Sequence, residues 1–341
     1  MNKIKIDEMD DARKRALYSA FWEDFPDILD ADITRTFFRG KESKNSYSFL
    51  FKGSSIENGI VDVFHIAERD LFCTKYKMAV SGDGNESAKI TTMHSSSLCA
   101  LLFFYNISPD NPFTIDLITN RGLRSVTFTT SVFEYKSPVL NKASNMDVVL
   151  ISEDRKVVLF LESKFSEYYI DAKLTEKGVS NKYLDLGCSK RIYTQSNMDK
   201  LGLSIKRGER TFDISCDEQL YIHGLRQMIS HYCGIINVLN GKCAAQKDHY
   251  REEVSQAMAN CEVAILGEIL FDEKIGDLLI DGGKNCLDVY SKKYKLLAEI
   301  IADDSSCEDR FEILKNDLGY SLFRENSHKV EDSISRYYGL V

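Results

Sequence analysis

The sequence predicts an α/β protein with a mixed β-sheet in its middle and a helical C-terminal region. Three observations carry that expectation. Residues 125–135 (SVTFTTSVFEY), 146–152 (MDVVLIS) and 156–163 (KVVLFLES) are β-branched, aromatic or aliphatic runs of strand length. The last two are apolar on both faces, as central strands covered on each side are. From 246 onward the apolar spacing is helical and acidic residues are frequent.

Element by element, residues 5–30 read as helix, with Phe21, Trp22 and Phe25 as core contacts. Residues 46–80 alternate and are rich in Phe, Val, Ile and Tyr, which predicts strands. SGDGNES (81–87) is a glycine-punctuated turn. His94-Ser-Ser-Ser then precedes LCALLFFYN, where a serine caps a short buried helix. Glu153-Asp154-Arg155 separates the two central strands. A polar stretch from Lys164 to about 215 contains helix-like pieces, GLRQMISHYCGIINVLN (224–240) is a helix, and DGGKN (281–285) is a break. Residues 1–92 are expected as an extension packed on a core of 93–245, followed by a helical acidic region, 246–341, unless all three form one domain.

Composition excludes several classes. The 341 residues are 43% hydrophobic and 28% charged with four prolines, an ordinary globular composition without a disorder signature. The N-terminal MNKIKIDEMDDARKR lacks the apolar stretch of a signal peptide, and LCALLFFY is too short to cross a bilayer. Both predict a cytoplasmic protein with no membrane partner. The nine cysteines show no C-x-x-C pair and no zinc-type cluster with the six histidines, so buried reduced thiols are expected. Residues 251–341 hold 19 acidic and 11 basic side chains, so that segment alone accounts for the net charge of −8. Residues 164–210 hold ten Lys/Arg against six Asp/Glu, a local excess of +4 that leaves room for a basic face.

The central hairpin carries the chemistry. With a turn centred on Asp154–Arg155, paired residues sum to 309, which sets Asp147 opposite Glu162 with Cβ atoms roughly 4.5–5.5 Å apart. Lys164 lies on the face of Glu162, one step further along. Two carboxylates that close repel each other unless a cation sits between them. Oxygen ligands of this kind suit Mg²⁺, and a lysine beside it can help activate water for attack on phosphorus. The competing reading is a cross-strand ion pair. The tripeptide ESK also occurs at 42–44, where it has no apolar strand before it and reads as a solvated loop.

Asp147 followed by Glu162-Ser-Lys164 resembles the PD-(D/E)XK signature of restriction-endonuclease-like nucleases. VFEY (132–135), Asp147 and ESKFSEY (162–168) together resemble a group of bacterial proteins of that superfamily, over roughly residues 93–240. The resemblance implies a restriction-endonuclease-like mixed β-sheet core flanked by helices. It implies Asp147 and Glu162 as metal ligands, Lys164 as the catalytic lysine and Glu134 as a further catalytic acid binding the metal directly or through water. Glu167 and Gln227 are weaker candidates, as substrate-contacting or supporting residues. Mg²⁺ is the implied cofactor, with Mn²⁺ as substitute. DNA is the implied substrate, with defence against foreign DNA as a setting, RNA as the alternative substrate and a homodimer as a compatible assembly. Departures from the pattern are Asn145-Met146 where a proline is common before the aspartate, Leu102 in place of an asparagine, and Ser230 in place of an arginine. They motivate a second reading, a catalytically inactive nuclease-fold protein that binds nucleic acid or a protein partner. His223 and His231 lie eight apart, a spacing that favours structural roles.

Overall fold

The computed structural model describes residues 4–23, 29, 31–38, 41–51, 55–81, 89–140, 142–242, 249–305 and 308–340. Helix α1 (Ala12–Trp22) is capped by the Asp11 carboxylate, which accepts from the backbone N–H groups of Arg13 and Lys14. Its Phe21 and Trp22 are buried as expected, whereas Phe25 lies outside the described residues. Strands β1 (Ile33–Phe38) and β2 (Lys41–Phe49) form an antiparallel ribbon. The ESK at 42–44 therefore sits on a strand rather than in a loop, with Glu42 opposite Phe37.

Residues 56–80 depart from the expected strands. They form helices α2 (Ile56–Val63) and α3 (Arg69–Ala79). Phe72, Tyr76 and Ala79 recur at helical spacing and are all buried, so the 3.6-residue period outweighs the aromatic and β-branched content. The SGDGNES turn lies, Ser81 apart, outside the described residues. Ser95 caps helix α4 (Ser96–Phe104) through Leu98 N–H, and every residue of that helix from Leu98 to Phe104 is buried.

A meander forms the centre of the molecule. Strands β3 (Phe113–Thr119), β4 (Gly122–Val139), β5 (Lys142–Ser152) and β6 (Val157–Lys164) pair antiparallel in sequence order. In the β5–β6 hairpin Val148 faces Leu161 and Ile151 faces Val158, the register in which paired numbers sum to 309. After β6 come the short helix α5 (Glu167–Ile170) and strand β7 (Lys173–Ser180), then helices α6 (Lys182–Asp185), α7 (Gly187–Ile192) and α8 (Gln195–Leu201). Strands β8 (Ser204–Arg207) and β9 (Thr211–Leu220) complete a separate three-stranded sheet, β7–β9–β8. Helix α9 (Ile222–Leu239) follows, as expected.

The last third is helical only in part. Helices α10 (His249–Asn260), α11 (Cys286–Asp304) and α12 (Asp332–Tyr338) are present, but between them β10 (Val263–Leu270) enters the main sheet parallel to β6. Strands β11 (Leu279–Ile280) and β12 (Lys284–Asn285) make a ribbon, while β13 (Phe311–Ile313) and β14 (Leu318–Gly319) both pair with β10 in parallel. The segment VAILGEIL is buried at every position, so it lacks the alternation that marks a half-exposed strand. The result is a mixed seven-stranded sheet of order β13-β10-β6-β5-β4-β3, with β14 on β10. It curls until its edges meet: Thr119 bridges Leu314, and Lys315 N–H donates to Ile118 O (2.9 Å).

Helices cover both faces. On one, Ser163 Oγ meets the Tyr320 hydroxyl (2.8 Å) and the Ser96 carbonyl at the start of α4. On the other, α9 lies against β4 and β5, and Asn237 Nδ2 donates to Pro138 O (2.8 Å). Among the described residues no helix is long and apolar enough to cross a membrane.

Candidate active site

The site lies on the α9 face, where three neighbouring strands bring acidic residues to one level. Continuing the β5–β6 register one step past Val148/Leu161 sets Asp147 opposite Glu162. There the ladder gives way to a side-chain bond: Ser163 N–H donates to Asp147 Oδ2 (2.8 Å). On the far side of β5, Phe133 pairs with Val148 and Tyr135 with Met146, which puts Glu134 beside Asp147. Glu134 has φ 53°, a left-handed conformation that a glutamate inside a strand adopts only at a cost of roughly 1–3 kcal/mol. Glu134, Asp147 and Glu162 all line one cleft of about 960 Å³.

Lys164 and Glu162, on alternate positions of β6, are both buried and meet at 2.5 Å through Nζ and Oε1. The same Oε1 accepts from Gln227 Nε2 (2.8 Å), and Oε2 accepts from His231 Nε2 (2.8 Å). Burial alone would push the Glu162 carboxyl up, but Lys164 and His231 outweigh it and hold the group down at about 2. Burial likewise disfavours charge on Lys164, yet Glu162 and Asp147 raise its ammonium well above the ordinary lysine range. That direction favours Lys164 as a cation and hydrogen-bond donor. The Tyr221 ring lies 5.9 Å from Nζ.

Asp147 has the opposite environment. Burial and the neighbouring charge of Glu162 push its carboxyl well above the usual range, against the pull of Lys164. One lysine thus faces more negative charge than it offsets. Among the described residues no hydrogen bond reaches Asp147 Oδ1. Gln227 Oε1, buried on the amide whose nitrogen holds Glu162, likewise has no partner there.

Among the described residues no three His, Cys, Asp or Glu side chains form a ready metal-holding group. The carboxylates of Glu134, Asp147 and Glu162 that line the cleft offer hard oxygens, the kind of ligand a divalent cation such as Mg²⁺ takes.

The weaker candidates separate. Gln227 binds Glu162 directly. Glu167 lines the cleft, but its Oε2 caps the turn after β6 by accepting from Phe165 N–H (2.9 Å) and Ser166 N–H (3.0 Å). His231, assigned a structural role on spacing, instead touches Glu162. It lies four residues after Gln227 on α9, so the i, i+4 relation was the signal that placed both on one face. Glu268 of β10 also escaped the sequence reading. It pairs with Glu162 across the β6–β10 ladder, is fully buried and accepts from the Tyr290 hydroxyl (2.9 Å).

The cleft walls come from elements outside the hairpin. Lys14 of α1, Lys89, Ser95–Ser97, Lys177 of β7 and Lys182 of α6 all line the cleft. Glu176 anchors β7 to α9 by accepting from Arg226 Nε (2.8 Å) and pairing with His223 Nδ1 (2.8 Å). A scan against protein-family models, a search of the curated proteins and a search of solved structures each find no match to this chain.

Proposed function

We propose that this protein is a Mg²⁺-dependent nuclease that hydrolyses phosphodiester bonds of DNA with a PD-(D/E)XK-type site. The observation that carries the reading is the meeting of Asp147, Glu162 and Lys164 at the floor of one cleft. Asp147 and Glu162, with Glu134 beside them, would hold the cation, and Mn²⁺ would substitute. A bound Mg²⁺ supplies Lewis acidity and a water of lowered pKa. Asp147 would contribute Oδ1, which no hydrogen bond reaches among the described residues. Glu162 contributes charge, since its carboxyl is ionised throughout the working range. Lys164, held cationic by Glu162, donates to a non-bridging phosphoryl oxygen and offsets charge as the transition state forms. Lysines that line the cleft, Lys14, Lys89, Lys177 and Lys182, give the flanking phosphates cationic contacts. Attack on phosphorus with the 3′ oxygen leaving gives 5′-phosphate ends, and defence against foreign DNA is the setting that the PD-(D/E)XK resemblance implies.

The test is cleavage of DNA oligonucleotides in Mg²⁺ by the wild-type protein, Asp147→Ala and Lys164→Ala, with circular dichroism to show that folding is retained. Loss of cleavage in both folded variants supports the assignment, and wild-type rates in both sink it.

The engagement of both Glu162 oxygens by Lys164, Gln227 and His231 favours one second reading. In it the cluster is a buried ion-pair network in a non-catalytic protein that binds nucleic acid or a protein partner. Calorimetry with Mn²⁺ separates the two, because the network needs no cation.

A further inference from the structure

We propose that His231 is a positioning residue for Glu162, acting with Ser144 to fix the carboxylate that the nuclease reading above requires. Glu162 and His231 are each 1% exposed, so neither can exchange its partner for water. A carboxylate oxygen accepts, so the His231 ring donates from Nε2 to Glu162 Oε2 at 2.8 Å. Its Nδ1 lies 2.7 Å from Ser144 Oγ, so both ring nitrogens are engaged and the imidazole is held in one orientation.

The chain of contacts reaches back into the sheet. Ser144 lies on β5 three residues before Asp147, and its carbonyl accepts from Ser137 Oγ (3.1 Å) of β4. His231 therefore ties together the strand that bears Asp147, the strand that bears Glu162, and helix α9. The consequence concerns direction. A carboxylate offers about four lone-pair positions. Lys164 and Gln227 take two at Oε1 and His231 one at Oε2, which leaves one. Glu162 as oriented by His231 can thus give a cation one lone pair at Oε2, and Asp147 Oδ1 becomes the principal direct ligand. Without His231, Glu162 keeps its partners Gln227 and Lys164 at Oε1 only, and the Oε2 edge loses its one contact to α9.

The experiment measures Mn²⁺ binding by calorimetry on the full chain, alongside DNA cleavage. His231→Ala should weaken Mn²⁺ binding roughly 10–100-fold, the usual effect of losing a residue that orients a ligand. Ser144→Ala should weaken it less. The Ser144→Ala, His231→Ala double variant should match His231→Ala alone, because the serine acts through the imidazole. His231→Gln, which keeps a donor at about the reach of Nε2, should recover most of the loss, a rescue that mere cavity filling would not give. Wild-type Mn²⁺ affinity in His231→Ala, or effects of the two substitutions that simply add, overturns the proposal. A double-mutant cycle of His231→Ala with Glu162→Gln, read by chemical denaturation in chelator, keeps the proposal separate from the nuclease reading. Coupling between the two residues supports the positioning contact even if the wild-type protein takes up no Mn²⁺, a result that would count against the nuclease reading alone. Absence of coupling overturns the positioning role whatever the metal does.

Discussion

Glu162 and Glu268 occupy the same level of two adjacent parallel strands, yet their carboxyls are driven in opposite directions. Glu162, held by Lys164 and His231, sits at about 2, whereas burial pushes Glu268 up to about 8. Its Oε2 has no partner among the described residues, which suits a neutral acid better than a carboxylate. A carboxyl whose folded-state pKa is raised contributes its full stability below the unfolded value near 4.5. That contribution is lost as pH climbs toward 8 and is constant above. Glu268→Gln keeps the shape and removes the titration. Its melting temperature relative to wild type should therefore rise between pH 5 and pH 9, by the equivalent of a few kcal/mol at most, to order of magnitude. A difference that stays flat over that range contradicts the neutral assignment.

Gly234 makes the position of α9 testable without touching the site. A Cβ there would meet Ser137 Oγ at 2.1 Å and Ser137 Cβ at 2.7 Å, so helix and strand could not keep their spacing. The same helix carries His231 and Gln227, about one and two turns away. Gly234→Ala should destabilise the fold by about 1–3 kcal/mol, measured by chemical denaturation. It should also reduce DNA cleavage under conditions where the variant is still folded. An unchanged cleavage rate would mean that the α9 contacts to Glu162 do not matter to the reaction.

The hairpin was legible because its register is local: a three-residue break between two apolar runs is enough to bring Asp147 to Glu162. What surrounds it was not. Gln227 and His231 reach Glu162 across 65 and 69 residues, a distance over which periodicity says which face a residue shares but not what that face meets. Strand β10 was hidden by its own burial, since eight apolar-flanked residues with no alternation read equally as helix or strand. The β7–β9–β8 sheet failed for the opposite reason. Most of β7 is exposed, and register shifts with Gly178 at φ 78° break its alternation, so it looked like a polar connection. The copy of ESK on β2 sharpens the point. Strand conformation alone does not make a site, and what distinguishes 162–164 is a buried partner strand that carries Asp147.

A part-buried ion pair reinforces the backbone contacts that close the curled sheet. Arg124 of β4 reaches Glu312 of β13 with Nε at 2.7 Å from Oε2 and Nη2 on Oε1, and Thr119 Oγ1 donates to the same Oε2 (2.7 Å). Glu312 is buried while Arg124 keeps 40% of its side chain exposed. Arg124→Ala would leave a buried carboxylate held by one hydroxyl, at a cost of about 2 kcal/mol after allowing for water at the exposed end. Pairing it with Glu312→Gln should recover part of that loss. If the two substitutions add independently in a denaturation cycle, the sheet edges are held by something else.

His94 gives the protein a sensitivity to acid of its own, apart from the titration of the carboxylates. Its Nδ1 is 3.1 Å from the Tyr18 hydroxyl, and the same hydroxyl accepts from Tyr47 N–H (2.8 Å), which fastens α1, β2 and the start of α4 together. Burial, aided by the charge of Lys14, lowers the imidazole to about 3. The folded state then binds fewer protons than the unfolded chain between pH 3 and about 6.5, so stability from this group is complete above 6.5 and falls as pH drops through that window. Between pH 7 and pH 5 the loss should be roughly 1–2 kcal/mol. Thermal melts of wild type and His94→Gln measure it. The wild-type curve should fall faster with acid than the variant's, and parallel curves would mean that His94 charges freely in the folded protein.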